Sequence, residues 1–372
     1  MRTARPVSHG RRTRKTPRKS PHVRPAADPD RLHRRSSGVL LHPTSLPGPY
    51  GVGDLGPEAH RFADFLGAAA QGFWQMLPVG PTGFGNSPYS ALSTFAGNPL
   101  LLSPDLLVED GLLEPAALAA SPRFPEGRAD FGTAPAWKNG ILRAAFERFR
   151  AARRPQKHAA FEQFCDENRA WLDDFALFAA LKAAHGGAAW TDWEPGLRAR
   201  KKESLAAAQN NLAGEIELAR FEQWLFAVQW DALRAHAAAR GVKLIGDVPI
   251  FVAQDSADVW AHPELWKLDR SGRPKVIAGV PPDYFSKTGQ RWGNPLYDWP
   301  RHQATGYQWW VDRIGITLAR FDVVRLDHFI GFERYWEVPA TAETAEHGRW
   351  RPGPRDALFD AIRRAHGGLP LI

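Results

Sequence analysis

Apolar strands alternate with amphipathic helices along this chain, and the alternation predicts an α/β fold. A short apolar run at 36–46 leads through a loop rich in proline and glycine to Pro57, which suits the first position of a helix. A second apolar run follows at 72–80. Strand, helix and strand at this spacing form a βαβ unit, whose strands pair in parallel. The predicted helix has one apolar face, formed by Phe62, Phe65, Leu66 and Ala69.

The same alternation returns after a long helical stretch. Apolar runs at 242–251 and 321–329 predict two further strands, with a helix at 301–318 between them. A helix at 356–365 precedes a last apolar run that starts at Leu369. Four strands with crossover helices and the start of a fifth predict a (β/α)₈ TIM-type barrel that is truncated after about the start of strand 5.

The helical stretch and the N-terminal segment divide the chain. We expect the first part of a catalytic barrel at 36–102 and an inserted helical subdomain at 103–216. The barrel continues over 217–372 and is incomplete at its C-terminus. Residues 1–35 are rich in arginine and proline without periodicity, which predicts a disordered basic tail. A transit peptide, an upstream start codon and a loose nucleic-acid-binding arm all fit this tail.

Charge and cysteine usage restrict the possible partners and compartment. The net charge is +8, but residues 1–38 hold twelve Lys or Arg and two acids, so the remainder has 36 basic and 38 acidic residues. The body therefore shows no basic excess that would indicate nucleic-acid binding. With Cys165 as the single cysteine, no intrachain disulfide can form, which favours a reducing, cytoplasmic location. The sequence contains no run of about 18 apolar residues, so we predict no membrane span.

The strand at 321–329 carries the residues most suggestive of catalysis. Val323 and Val324 begin a buried strand, and Arg325 and Asp327 share one face because strand side chains alternate. A guanidinium beside a carboxylate favours the ionised form. An ionised carboxylate at the C-terminal end of a strand is what a glycosidase nucleophile requires, although an ordinary structural ion pair has the same pattern.

Two loops and one further strand end complete the candidate site. A polar and aromatic loop at 83–99 directly follows the second predicted strand, where α/β folds place functional residues. The third strand carries Asp247 near its C-terminal end. In the segment 281–295, aromatic residues stand beside prolines, which predicts a partly rigid lid.

Several long motifs, in the same order, resemble the amylomaltase or 4-α-glucanotransferase family (glycoside hydrolase family 77). They include HPTSLPGPYGVGD, NSPYSALSTFAGN and RLDHF. The resemblance covers residues 36–372. The motifs lie at 42–54, 86–98, 246–253, 280–286, 290–295 and 325–329.

The resemblance implies a retaining double displacement on α-1,4-glucans such as maltooligosaccharides, glycogen or starch, with glucose as one acceptor and no cofactor. Asp327 matches the nucleophile, and Arg325 its electrostatic partner. Tyr89 is implied to stack on the donor glucose. Tyr284 and Phe285 lie on the loop that covers the acceptor subsites. The residues implied to contact sugar hydroxyls or faces are Asp247, Trp292, Asn294 and His328.

Structural roles compete with some of these assignments. His42 and His328 fit structural histidines, and Asp54 fits a turn or capping residue. The histidines show no HxxxH pair, so we expect no metal site. The letters of the segment 51–56 match a dinucleotide-binding glycine pattern, but a proline-rich loop separates it from the strand and Pro57 removes an amide.

The second carboxyl of the retaining mechanism is missing from the pattern. In the family a Glu acts as general acid/base just after the strand that starts at Leu369, and this sequence stops at Ile372. Glu333 and Glu337 follow Asp327 too closely to match it. We therefore expect a fragment that is inactive and poorly soluble by itself. An α-amylase-type hydrolase and a non-catalytic glucan-binding remnant are the alternatives.

Overall fold

The computed structural model describes residues 35–152 and 154–372, so the predicted basic tail lies outside the described residues except for Arg35. Its eight strands are β1 (Gly38–Leu40), β2 (Phe73–Gln75), β3 (Lys243–Pro249), β4 (Val276–Val280), β5 (Gln290–Pro295), β6 (Val323–Asp327), β7 (Arg334–Pro339) and β8 (Arg349–Pro352).

Thirteen α-helices are found in the same residues, with several short 3₁₀ turns between them. They are α1 (Pro57–Ala68), α2 (Pro104–Glu109), α3 (Pro115–Ala119), α4 (Ala134–Ala151), α5 (Pro155–Ala184), α6 (Pro195–Arg198), α7 (Lys202–Asn211), α8 (Ala213–Ala239), α9 (Ala257–Ala261), α10 (Trp299–Ala304), α11 (Gln308–Arg320), α12 (Ile330–Glu333) and α13 (Asp356–His366).

A parallel sheet with the order β1-β2-β3-β6 forms the centre of the α/β fold. All three strand pairs are parallel, as the βαβ pattern predicts. The last residues extend the sheet beyond β6. Leu371 bridges Val324 in parallel, and the amide of Leu326 donates to the carbonyl of Ile372 at 2.9 Å. Strands therefore neighbour one another in chain order, which is the arrangement that successive right-handed crossovers produce.

The two faces of this sheet have different environments. Trp74, Leu244 and Val324 lie on the face that packs against the helices, and all three are fully buried. Side chains on the other face alternate with them. Because Asp247 pairs with Arg325 in the register, the two side chains lie next to each other on this second face.

A second, antiparallel sheet was not predicted from the sequence. Its order is β5-β4-β7-β8, and it occupies the segment predicted only as a lid and the residues after β6. Within the predicted lid segment 281–295, residues 281–289 connect β4 to β5 and the remainder is β5 itself. Gly279 and Gly293 interrupt the apolar alternation of these short strands, so no clear period of two is visible in the sequence.

Two details of the helices also differ from the prediction. The single helix expected at 301–318 is two helices, α10 and α11, because Gly306 and Tyr307 both adopt left-handed backbone conformations between them. Phe65, predicted on the buried face of α1, is 60% exposed. Leu66 is buried as predicted, together with Ala59 and Ala63, and Phe62 is partly buried against the core.

One continuous hydrophobic cluster joins the parallel sheet to the helices between β2 and β3. The longest of these are α5 and α8, of 30 and 27 residues. Most of their aromatic side chains are buried, as the helical spacing predicted, whereas Phe164 and Trp171 are partly buried against the core. The boundary of a separate helical subdomain at 103–216 stays a prediction. Among the described helices, none combines the length and apolar character needed to cross a membrane.

Candidate active site

Arg325 joins two carboxylates at the C-terminal ends of neighbouring parallel strands. Its Nη1 donates to Oδ1 of Asp247 at 2.8 Å, and its Nη2 donates to Oδ1 of Asp327 at 2.6 Å. Asp247 is the neighbour of Arg325 across the sheet, and Asp327 is its neighbour along β6. The strand alternation read from the sequence therefore does bring Arg325 and Asp327 together.

The two carboxylates differ in their access to solvent. The side chain of Asp247 is 1% exposed, whereas that of Asp327 is 36% exposed. Burial raises the pKa of Asp247, although hydrogen bonds from Tyr89 and Arg325 act in the opposite direction. For Arg325, burial lowers the pKa but the two carboxylates raise it by more, so the net pKa is raised. Arg325 is therefore a permanent cation, with Asp327 as the accessible carboxylate beside it.

Tyr89 reaches this network from the loop at 83–99. Its hydroxyl donates to the second oxygen of Asp247, Oδ2, at 2.7 Å. Burial and then the bond to Asp247 raise the pKa of Tyr89, so the phenol stays protonated at neutral pH. The side chain remains 37% exposed. Tyr89, Asp247, Arg325 and Asp327 thus form one connected chain of hydrogen bonds.

A cluster of two aromatic rings, His328 and Trp292, lies beside the accessible carboxylate of Asp327. His328 directly follows Asp327 and adopts a left-handed conformation that ends β6. Its ring lies 4.8 Å from that of Trp292 in an edge-to-face arrangement. Trp292 is 38% exposed. Burial lowers the pKa of His328, and the charge of Asp327 offsets this in part.

The remaining predicted residues lie further from the carboxylates or have structural contacts. Tyr284 and Phe285 lie at the tip of the β4–β5 hairpin and are 96% and 90% exposed. Asp283 shapes this tip by accepting the amide of Phe285 at 2.9 Å. The side-chain amide of Asn294 donates to the carbonyl of Val252 at 2.8 Å, which leaves its Oδ1 without a described partner.

Phe251 was not singled out from the sequence, although it packs beneath the rings of Trp292 and His328. It is 5% exposed, and its ring lies 6.3 Å from Trp292 and 6.4 Å from His328. The available signal was its place, two residues after the end of β3. Aromatic residues at such positions belong to the core as often as to a binding site, so the pattern alone did not distinguish these two roles for Phe251.

The structure gives the other acidic candidates different surroundings. Glu333 pairs with Arg355 at 3.0 Å. Glu337 is buried in the antiparallel sheet, where burial raises its pKa but three surrounding cations lower it to about 2. It stays ionised and is unsuited to donating a proton. Asp54 is partly buried and pairs with the buried Lys138 at 3.1 Å.

A metal site is not indicated by the described side chains. Within residues 35–152 and 154–372, no three His, Cys, Asp or Glu side chains are grouped so that they could hold a metal ion. His42 is buried, and burial lowers its pKa to about 4, so it is neutral at physiological pH.

Comparisons with known proteins agree on one family. The sequence profile of the 4-alpha-glucanotransferases matches residues 41–372. The 4-alpha-glucanotransferase of Thermus thermophilus is 51% identical over 338 residues, which cover 91% of this chain and 67% of that protein. The chloroplastic/amyloplastic 4-alpha-glucanotransferase of Solanum tuberosum is 41% identical over 94% of this chain and 61% of that protein.

Solved structures agree with the sequence matches. Amylomaltase from Streptococcus agalactiae in complex with acarbose superposes with a TM-score of 0.87 and 39% identity, covering 91% of this chain and 68% of that one. Amylomaltase from Corynebacterium glutamicum shares the fold, with a TM-score of 0.71 and 20% identity over 91% of this chain and 47% of that one. The chain spans about two thirds of the length of the Thermus thermophilus protein. On the profile match and these identities, the chain belongs to the 4-alpha-glucanotransferase family.

Proposed function

We propose that the chain transfers α-1,4-glucan segments to glucose or glucan acceptors by a retaining double displacement, with Asp327 as the nucleophile. The observation that carries this proposal is the bridge from Arg325 to Asp327 and Asp247 at the C-terminal ends of adjacent parallel strands. Active sites of (β/α)₈ barrels lie at this end of the strands. We further propose that the parallel sheet is part of such a barrel.

Asp327 has the charge and access that a nucleophile needs. Arg325 donates to its Oδ1, and its other oxygen accepts no hydrogen bond from the described part of the protein. That oxygen would attack the anomeric carbon while the glycosidic bond breaks, and the leaving oxygen would take a proton from solvent. An acceptor hydroxyl would then attack the same carbon, give its proton to solvent and release Asp327. Two inversions retain the α configuration.

The surrounding side chains suit sugar binding. The exposed parts of Tyr89 and Trp292 offer flat apolar faces with a polar edge, which match the faces and hydroxyls of glucose rings. We assign sugar hydroxyl contacts to His328 and the free Oδ1 of Asn294. Asp247, which the resemblance implies to contact sugar hydroxyls, has a 1% exposed side chain bonded to Tyr89 and Arg325, so we propose that it orients these two residues. The acarbose complex of the Streptococcus agalactiae amylomaltase supports an α-glucan-like ligand for this site.

The aromatic hairpin tip favours transfer over hydrolysis. Tyr284 and Phe285 are almost fully exposed, and we propose that a bound acceptor glucan covers them. Excluding water from the intermediate leaves a sugar hydroxyl as the attacking group. An assay that compares new reducing ends with free glucose separates the two reactions, because disproportionation conserves the number of glycosidic bonds.

A general acid/base is not among the described groups around Asp327. Asp247 is enclosed by Tyr89 and Arg325, and the other nearby acids are engaged elsewhere. General acid catalysis contributes about 10²–10⁴-fold to such reactions. We therefore propose that these 372 residues supply the nucleophile and much of the glucan site, and that they turn over natural glucans slowly.

A fluorinated α-glucosyl fluoride tests the nucleophile independently of the acid, because fluoride leaves without protonation. The expected result is a stable glycosyl ester on the peptide that contains Asp327, detected by mass spectrometry. Asp327→Asn should abolish the label. Asp360→Asn, a surface carboxylate paired with Arg363, is the matched control and should keep it. Labelling of another residue, or of the Asp327→Asn variant, would refute the assignment.

A further inference from the structure

A small cavity separates the loop that carries Tyr89 from the sheet beneath it. The cavity has a volume of about 50 Å³ and is lined by Pro88, Ala91 and Thr94 of the loop. Asp247 and Arg320 lie across it. Because a gap provides no packing contacts, close packing does not fix the loop on this side. On its other sides the loop is held by the apolar packing of Phe95 and Ala96 and by polar contacts.

The loop itself is a small hairpin with a well-defined base. Thr82 and Ala91 form an antiparallel bridge, and the amide of Gly83 donates to the carbonyl of Ser90 at 2.8 Å. Tyr89 lies within this hairpin, close to the bridge. The direction of the hairpin therefore depends on how the residues that follow Ala91 are anchored.

Asp258, in α9, provides the anchor. Its Oδ2 accepts the amide of Thr94 at 2.9 Å, and its Oδ1 accepts the Thr94 hydroxyl at 2.8 Å. The amide of Ala257 adds a bond to the carbonyl of Leu92 at 2.8 Å. We use the name Thr94–Asp258 clamp for this group of three bonds. The clamp connects the hairpin to the segment that continues from β3, the strand that carries Asp247.

The carboxylate of Asp258 is buried, and the charge of the buried Arg313 acts on it without a direct ion pair. It is 4% exposed and forms no ion pair within the described residues, and burial raises its pKa although the bonds from Thr94 lower it in part. A buried carboxylate without a directly paired cation is unfavourable unless hydrogen bonds satisfy it. Here two of its bonds come from one residue of the Tyr89 loop.

We propose that Asp258 is a positioning residue for glucan binding. Through Thr94 it positions the hairpin so that the Tyr89 hydroxyl can donate a hydrogen bond to Oδ2 of Asp247. This inference rests on the proposed function of the site, since Tyr89 is assigned there to sugar binding and Asp247 accepts its hydroxyl. Asp258 itself touches none of the predicted substrate contacts.

Acarbose affinity, measured by calorimetry on the full chain, provides the test. Thr94→Val removes one clamp bond at nearly constant shape, and Asp258→Asn replaces an acceptor by a donor. Each should weaken binding about tenfold, the effect of losing one good hydrogen bond to a charged group. Thr94→Ser retains both bonds and should restore wild-type affinity. Asp269→Asn, an exposed turn carboxylate that also accepts backbone amides, controls for the charge change.

A double-mutant cycle with Tyr89→Phe distinguishes positioning from general stability. If the clamp acts through the Tyr89 hydroxyl, Thr94→Val should change affinity less than twofold once that hydroxyl is gone. The same tenfold loss in both backgrounds would overturn the proposal. A lowered melting temperature with unchanged affinity would overturn it as well.

Amide hydrogen exchange tests the Thr94–Asp258 clamp even if the proposed function of the site is wrong. If the wild-type chain does not bind acarbose, the assignment of the site fails and the clamp is judged by exchange alone. The amides of Gly83 and Leu92, bonded across the hairpin, should then exchange faster in Thr94→Val than in Thr94→Ser. Equal rates in the two variants would refute the clamp.

Discussion

Arg325 holds two carboxylates with separate nitrogens of one planar group, and a smaller cation does not reproduce this geometry. The guanidinium spans Asp247 across the sheet and Asp327 along the strand. A lysine ammonium is a single point charge on a flexible stem. At the scale of the residue, the chemistry of the site therefore depends on the shape of this cation as well as on its charge.

Arg325→Lys should slow the labelling of Asp327 by the fluorinated donor about tenfold, because one charge-assisted hydrogen bond is lost. The measurement is the rate of the mass increase at fixed donor concentration. Arg363→Lys makes the same chemical change at a surface ion pair and should leave the rate unchanged. An unaltered rate in Arg325→Lys would mean that the bridge does not activate Asp327.

The two sheets differ in what stabilises them, and this difference appears at the scale of the element. The parallel sheet is packed by apolar side chains on its helix side, with close contacts at Gly246. A Cβ at this position would lie 2.4 Å from the ring of Phe321. The antiparallel sheet instead surrounds a buried acid, Glu337, with cations. They are Lys267, Arg349 and Arg351.

Gly246→Ala should destabilise the parallel sheet by about 1–3 kcal/mol, because the added methyl overpacks β3 against Phe321. Gly140, in α4, has open space around its Cα, so Gly140→Ala should raise the free energy of unfolding by roughly 0.5–1 kcal/mol. Chemical denaturation of both variants measures the two changes. Equal effects of both substitutions would contradict the packing argument.

Glu337→Gln should lower the free energy of unfolding at neutral pH by about 1–2 kcal/mol, because the buried carboxylate loses charge-assisted bonds to three cations that solvent partly screens. The pKa of Glu337 is lowered from 4.5 to about 2, so its contribution is complete above pH 4.5 and is lost as the pH falls toward 2. Unfolding curves across this window should show a smaller pH dependence for the variant. Glu346→Gln, at an exposed position, is the control.

At the scale of the whole molecule, we expect the 372-residue protein to bind glucans and react with an activated donor but to turn over natural glucans slowly. The described residues contain a complete chain of hydrogen bonds from Tyr89 to Asp327, but no acid placed to protonate a leaving group. The purified 372-residue protein should therefore be labelled by the fluorinated donor and release little glucose from maltotriose. Rapid glucose release would show that a group within these residues already acts as the general acid/base.

Local patterns in the sequence predicted the order of the parallel strands and the contact between Arg325 and Asp327. A period of two places Arg325 and Asp327 on one face whatever the rest of the chain does, and the structure confirms their contact. The βαβ spacing likewise implies parallel pairing, which is observed. These features could be predicted because the residues involved are neighbours in sequence or in regular elements.

Only the tertiary structure decided which distant groups meet. Tyr89 and Asp247 are separated by 158 positions, and Thr94 and Asp258 by 164, so no periodicity relates them. The antiparallel sheet was missed for the same reason, because strand formation depends on cross-strand neighbours more than on intrinsic preference. Packing of the whole chain therefore selects the partners of each site residue, whereas the sequence determines which chemical groups are available to be selected.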